Sequence, residues 1–453
     1  MAFLDTLVQN ISGVLWDVLL IYLLVGTGIY FTCRLKFVQV RYFGSGLKKL
    51  FGNFSLHGGK QDGGLTSFQA LATAIAAQVG TGNIAGAATA IASGGPGAIF
   101  WMWLSAFFGM STIYAEAVIA QETREVVNGK VYGGPAYYIQ AVFKGKFGKF
   151  LAGFFSVSII LALGFTGNMV QANSIGAAFN GAFGVNPLIV GFFCALVAGF
   201  IFIGGIHRIA SVTEKVVPIM ALFYVLGCLA ILVMCGGAAV VEAFREILVS
   251  AFAPQSVAGG ALGVTVQQAI HYGVARGLFS NEAGMGSTPH AHATAKVKHP
   301  ADQGVIAMMG VFIDTFIVLT MTALVIVATG AYKTDLTGAA LSQAAFNSKF
   351  GNFGMAFIAI CMLFFAFTTI VGWYFFGETN VRRLFGEGSV KIYAALVVLC
   401  VMVGSALKVD FVWHMSDMLN GLMVLPNLIA LLASSAVILK LTKEYDKKQK
   451  EKK

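Results

Sequence analysis

The stretch Ala76-Ala77-Gln78-Val79-Gly80-Thr81-Gly82-Asn83-Ile84-Ala85-Gly86 places two glycines, a threonine and an asparagine in the middle of an apolar run from Leu65 to Ser93. In hydrocarbon an unpaired backbone N–H or C=O costs several kcal/mol, so such a run is interrupted only where something polar meets the freed groups. A second interruption lies at Gly277-Leu278-Phe279-Ser280-Asn281-Glu282-Ala283-Gly284-Met285-Gly286, which adds a carboxylate. The half-helix beginning near Asn83 would turn its free N–H groups and positive dipole end toward a small anion such as a carboxylate. The half-helix before it would end in carbonyls that suit a hard cation such as sodium. Together they could hold both ends of an amino acid beside an ion. Hydroxyls complete an oxygen ligand set, and Phe365-Ala366-Phe367-Thr368-Thr369-Ile370-Val371-Gly372-Trp373 supplies two adjacent ones. Back-bonding to carbonyls is the ordinary role of such threonines. Trp373, one turn on, either walls a small pocket or serves as packing or interface belt.

The elements that must position these residues follow from composition. Of 453 residues, 57% are hydrophobic and 11% charged, and the mean hydropathy is +0.80. This describes a polytopic membrane protein rather than a soluble domain. Apolar runs near the roughly 20 residues of a spanning helix, without strand-like alternation, make it all-α. Cys33, Cys194, Cys228, Cys235, Cys361 and Cys400 sit singly in apolar runs with no C-x-x-C spacing and read as small core residues. The N-terminus shows no basic region or small-residue cleavage site, so its apolar run is expected to remain as a span.

Eleven spans are expected: 14–33, 65–93, 99–120, 150–171, 187–206, 216–235, 262–295, 305–330, 355–376, 392–407 and 418–440. With the first loop cytoplasmic, 25 of the 30 basic residues, Lys60 among them, fall in cytoplasmic segments; Arg245, Lys333, Lys349 and Lys408 fall outside and Arg276 lies within a span. The positive-inside rule then puts the N-terminus outside and the C-terminus in the cytoplasm. The net charge of +10 therefore implies no nucleic-acid partner, and the KKQKEKK tail reads as a solvated segment near anionic headgroups. Aligning Asn83 with Asn281 pairs N-I-A-G with N-E-A-G. Five crossings separate the two, so the copies run in opposite directions: a five-plus-five inverted repeat with an extra first helix. The expected organisation is residues 1–64 for the extra helix and basic loop, 65–240 and 241–441 for the two repeats, and 442–453 for a basic tail. Isolated Gly86, Gly94, Gly95 and Gly97 read as close-packing positions.

The motifs V-G-T-G-N-I-A-G, G-G-P-G-A-I-F-W-M-W, G-L-F-S-N-E-A-G-M-G-S and T-T-I-V-G-W-Y resemble the alanine or glycine:cation symporter family across nearly the whole chain. The Val79 to Asn83 segment is also similar to the unwound first core helix of neurotransmitter:sodium symporters. The resemblance implies that N–H groups of Thr81 and Gly82 receive a substrate carboxylate, with Asn83 beside them. It further implies that the Ala76 and Val79 carbonyls, with the Thr368 and Thr369 hydroxyls, bind sodium. Gln171, Phe279 and Trp373 would line the pocket. One departure is that neurotransmitter symporters use a tyrosine hydroxyl where Gly167-Asn168-Met169-Val170-Gln171-Ala172-Asn173 offers Asn168, Gln171 or Asn173.

Charges inside spans are candidates for function. Arg276 and Glu282 flank the second break and could pair to hold or gate it. Asp314 is either a further cation or proton site or a partner for a helix end. Glu116, near a span's cytoplasmic end, reads as capping or snorkelling, and His271 as a core histidine. His290-Ala291-His292 with His299 lacks cysteine or acidic partners at ligand spacing. No H-E-x-x-H, P-loop or G-x-S-x-G occurs, so no enzyme and no cofactor is expected. The expected activity is sodium-coupled import of alanine or glycine across a prokaryotic plasma membrane. The alternatives are proton coupling through Asp314 or Glu282 with another small solute, or a channel or sensor of the same fold.

Overall fold

The computed structural model describes residues 2–52, 64–127, 129–253, 265–407 and 410–451. Lys60, Lys408, Lys452 and Lys453 of the charge pattern, and residues 262–264 of the seventh expected span, lie outside the described residues. The described helices overlap each expected span, with interruptions inside 65–93, 262–295 and 418–440. In chain order these are α1 (Thr6–Arg34), α2 (Phe43–Gly52), α3 (Ser67–Gln78), α4 (Ala87–Gly94) and α5 (Ala98–Glu122). A short hairpin of β1 (Glu125–Val127) and β2 (Lys130–Tyr132) precedes α6 (Pro135–Val142), α7 (Gly145–Phe183), α8 (Pro187–Ile203), α9 (Gly205–Cys235) and α10 (Gly237–Ser250). The second half holds α11 (Val266–Asn281), α12 (Pro289–Ala293), α13 (Pro300–Ala328), α14 (Gly338–Phe350), α15 (Asn352–Phe385), α16 (Ser389–Gly404), α17 (Asp410–Ala433) and α18 (Ser435–Lys450).

Among the described residues seven helices are long and apolar enough to cross a membrane: α1, α5, α7, α9, α13, α15 and most of α17; α8 and α16 are shorter apolar helices. Their outward faces are greasy. Phe192, Phe193, Leu196, Ile219 and Leu222 are each more than half exposed, which only a lipid environment tolerates in such a continuous belt.

The two interrupted helices start alike. Thr66 accepts from the Gln69 N–H at 3.1 Å while its own N–H reaches the Gln69 side chain at 3.0 Å. Thr265 and Gln268 repeat this reciprocal cap at 3.2 and 2.9 Å. A capping box satisfies two orphan donors that a helix start would otherwise leave unpaired. Counted from these caps, Asn83 and Asn281 fall within one residue of equivalent positions, which supports the register of the repeat. The interruptions themselves are displaced. The first helix ends at Gln78, before its asparagine, whereas the second runs through Ser280 to Asn281 and opens only at Glu282. The expected break at Gly277 therefore moves about one turn later, because Gly277 is used inside the helix for close packing against Met102 and Ser105.

α5 packs along α11 and α13, and α7 along α15. The beginning of the first interrupted helix is tied to the end of the second: Leu65 N–H donates to the Thr294 carbonyl at 3.1 Å, and Lys296 N–H to Leu65 at 2.9 Å. On the same face α18 docks on the first loop. Arg41 and Tyr42 hold Asp446 at 3.2 and 2.5 Å, and Lys49 pairs with Asp302. Burial, and then the Asp446 carboxylate, raise the Tyr42 phenol above its ordinary value.

Candidate functional site

At the first break Val79 leaves helical geometry (φ −79°, ψ 84°) and a π-helical turn, Gly82–Gly86, begins three residues on. Gly80 N–H donates to the Gln78 carbonyl at 3.0 Å and to Asn83 Oδ1 at 3.1 Å. Thr81 N–H donates to Gln171 Oε1 at 3.3 Å. Thr81 is wholly buried, yet its hydroxyl has no partner among the described residues. A polar atom buried without a partner calls for a ligand or water. Gly80 and Gly82 are glycine for lack of room: an added Cβ would stand 2.4 Å from Thr369 Oγ1 at the first and 3.1 Å from Ser280 Cα at the second. Gln171 is thus the polar residue that α7 delivers to the break. Asn168 bonds back to Gly164, and Asn173 turns to the carbonyls of Gly404 and Leu407.

Beside the break, Thr369 Oγ1 lies 3.0 Å from the Ala76 carbonyl, 3.3 Å from that of Ala77 and 3.0 Å from that of Phe365. Val79, the helix's C-terminal cap, is fully buried next to them. Several oxygens thereby converge where the α3 dipole ends negative. Thr368 takes another course. Its hydroxyl lies along its own helix, 2.9 and 3.0 Å from Phe364 and Phe365, and 3.5 Å from Met220 Sδ on α9. Adjacent residues on a helix point about 100° apart, and only Thr369 is turned to α3.

Phe279 and Trp373, the expected pocket walls, meet edge to face with ring centres 6.5 Å apart. The indole presses on Gly167, where a Cβ would meet it at 2.6 Å, and its N–H donates to Glu282 Oε1 at 2.5 Å. Asp314, on a π-helical turn of α13, joins both breaks: its carboxylate accepts from Asn83 Nδ2 at 2.7 Å, Ser280 Oγ at 3.2 Å and Thr315 Oγ1 at 2.8 Å. Asn83 therefore spends its amide on bracing the break.

The second break is closed by the protein itself. Glu282 sits in the left-handed region at φ 57°, and its other oxygen accepts from Ser287 Oγ at 2.5 Å. Glu116 reaches over from α5: its two oxygens accept the N–H groups of Gly284 and Gly286, both at 3.0 Å, and Asn427 Nδ2 at 2.7 Å. The expectation that Glu116 snorkels or caps its own helix end is corrected, since it is fully buried and neutralises donors freed 168 residues away. The expected Arg276–Glu282 pair is also corrected. Six residues on a helix turn about 240°, so they face apart, and Arg276 instead approaches Asp417 of α17 at 3.6 Å. That pair borders a pocket of about 120 Å³ reaching down to Phe279, with His271 on its wall rather than in the core. His290 bonds to the Ser287 carbonyl and Asn380, and His292 to Gln303. Among the described residues no cluster of three or more His, Cys, Asp or Glu is placed to hold a metal ion.

The partners Glu116, Asn427, Asp417 and Asn380 were not legible as such. Their one local signal is a polar residue at an apolar position.

Residues 1–453 match the family described as the Sodium:alanine symporter family. The chain belongs to that family. It is 42% identical over 452 residues to the sodium/alanine symporter AgcS of Methanococcus maripaludis, covering 98% of each chain. It is 40% identical over 450 residues to a probable sodium/glutamine symporter, GlnT, of Bacillus subtilis, covering 99% of this chain and 92% of that one. The crystal structure of MhsT in complex with L-phenylalanine superposes with a TM-score of 0.58 at 16% identity, over 85% of this chain and 99% of that one. That likeness is one of fold. This symporter-family chain is thus an all-α integral membrane protein with a five-plus-five inverted repeat and two broken helices, a cation-coupled amino-acid symporter and not an enzyme.

Proposed function

We propose that the chain imports alanine or glycine together with sodium, crossing a prokaryotic plasma membrane eleven times with its N-terminus outside. The carrying observation is the first break, where the Thr81 N–H and its unpartnered hydroxyl lie beside the Ala76 carbonyl and Thr369. Thr81, Gly82 and Gln171 receive the substrate carboxylate, Asn83 braces the turn, and Phe279 and Trp373 limit the side chain. The Ala76 and Val79 carbonyls with the Thr369 hydroxyl hold sodium; Thr368 joins them only after turning from Phe364. Sodium then ties α3 to α15 and organises the carboxylate site, which couples the two cargoes. One sodium moving inward yields about 2.3 kcal/mol per 100 mV, and tenfold accumulation costs about 1.4 kcal/mol, so one ion is sufficient for more than tenfold uptake.

Proteoliposome uptake of labelled alanine tests this, with glycine and glutamine as competitors. Sodium-dependent accumulation above equilibrium is expected, with glycine competing better than glutamine. Equilibration alone would make the protein a channel, and binding without flux a sensor. Proton coupling is a second reading because Asp314 is a buried carboxylate touching both breaks. Accumulation driven by a pH gradient without sodium would establish it.

A further inference from the structure

His290 belongs to α12, the half-helix after the second break, and is 1% exposed. Its imidazole occupies a slot. The Phe155 ring lies 6.1 Å away and within 13° of parallel, the Phe376 ring 5.6 Å away and within 28°. The backbone of Gly134 closes a third side, where an added Cβ would sit 2.7 Å from the ring. Nδ1 is 2.7 Å from the Ser287 carbonyl and Nε2 is 2.8 Å from Asn380 Nδ2. Those partners assign one neutral tautomer, with Nδ1 donating and Nε2 accepting. Asn380 is itself fixed, because its Oδ1 accepts from Ser156 Oγ at 2.8 Å and its Nδ2 also reaches the Phe376 carbonyl at 2.8 Å.

The slot joins two bodies. On one side, α12 is tied to the start of α3 through Leu65 and to α5 through Gln121, whose amide donates to Ala295 at 2.9 Å. On the other, Phe155 and Ser156 belong to α7, and Phe376 and Asn380 to α15. A cavity of about 80 Å³ lies on the same seam, bordered by Leu65, Thr294, Ile206, Thr379 and Tyr132 of the hairpin. The opposite face carries the 3.6 Å Arg276–Asp417 pair at the pocket of about 120 Å³, where Trp16 Nε1 also donates to the Asp417 carbonyl at 2.8 Å.

We propose that the contact of His290 with Asn380 is the catch that keeps the hairpin-bearing face shut, and that it releases before cargo leaves on that side. The proposal rests on the transport reading and adds a positioning residue to it. Two reporters test it in the full chain, reconstituted in a background lacking the six native cysteines. Ile206→Cys reads the 80 Å³ cavity and Ala275→Cys reads the pocket on the opposite face, each by its rate of modification with a membrane-impermeant maleimide applied from either side. Asn380→Ala is expected to speed modification at residue 206 and slow it at residue 275, each about two- to tenfold, the population shift that one net hydrogen bond supplies. Ser156→Ala, which leaves His290 and Asn380 in place, shifts both rates the same way but less, and carries the test if Asn380→Ala does not fold. Unchanged rates, or both rates rising together as in general loosening, overturn the catch. A reciprocal shift in a protein that accumulates no alanine keeps the catch and rejects the assigned cargo.

Discussion

Replacing Gly80 by alanine puts the most direct strain on the proposed ion site. The added methyl carbon would stand 2.4 Å from Thr369 Oγ1 and 3.3 Å from Gln171 Oε1. Ordinary contact begins near 3.4 Å, so the Thr369 side chain or the Gly80 backbone must yield by about 1 Å. The Thr369 hydroxyl is already held at 3.0 Å by the Ala76 and Phe365 carbonyls, and a shift of that size disengages it from α3. Overpacking of a filled interior costs about 1–3 kcal/mol. If the sodium-bound state bears that cost, apparent sodium affinity falls about 5- to 150-fold. The assay is the sodium dependence of alanine uptake in proteoliposomes, with the thermal midpoint of the detergent-solubilised protein measured alongside. Thr369→Ala removes both the clash and the ligand oxygen, so Gly80→Ala in that background should add little. Residues in contact fail to add in this way. Wild-type sodium dependence of Gly80→Ala, or losses that simply multiply in the double variant, would refute the reasoning.

Two further outcomes follow from the same contacts. Trp373→Phe keeps a ring against Phe279 but deprives Glu282 of the donor at 2.5 Å; a buried acceptor left unpaired costs about 1–3 kcal/mol, so stability in detergent should drop by that amount, and a wild-type denaturation midpoint would show that this bond does not hold the second break. Glu116→Gln presents an amide donor to a site that already holds three, the N–H groups of Gly284 and Gly286 and the Asn427 amide; stability in detergent should drop by about 1–3 kcal/mol, and a wild-type denaturation midpoint would show that the second break does not depend on this carboxylate.

Glu116 also explains why two similar interruptions play different roles. Each break frees peptide N–H groups at a helix start, a natural seat for an anion. At Gly284 and Gly286 the seat is filled by a carboxylate of the protein. At Thr81 the nearest acceptor is the neutral Gln171 amide, 3.3 Å away, a weaker partner that a substrate carboxylate can displace. The asymmetry is what the proposed placement of the amino acid at the first break rests on; at the second, Glu282 is already engaged by Ser287 and Trp373.

The apolar segments, the presence of two interruptions and the register of the repeat were determined by the sequence by itself. Hydropathy acts over a single helix length, a broken helix announces itself through adjacent glycines and polar residues, and the match of N-I-A-G with N-E-A-G spans four residues. Where each helix actually opens, and what meets the freed groups, was decided only in the tertiary structure. Each residue turns a helix face by about 100°, so choosing Thr369 over Thr368, or Asp417 over Glu282 for Arg276, depends on how helices distant in the chain are rotated against each other. No local pattern carries that angle. The packing of α5, α7, α15 and α17 around the breaks sets it, and with it which buried polar groups find partners and which, the Thr81 hydroxyl among them, do not.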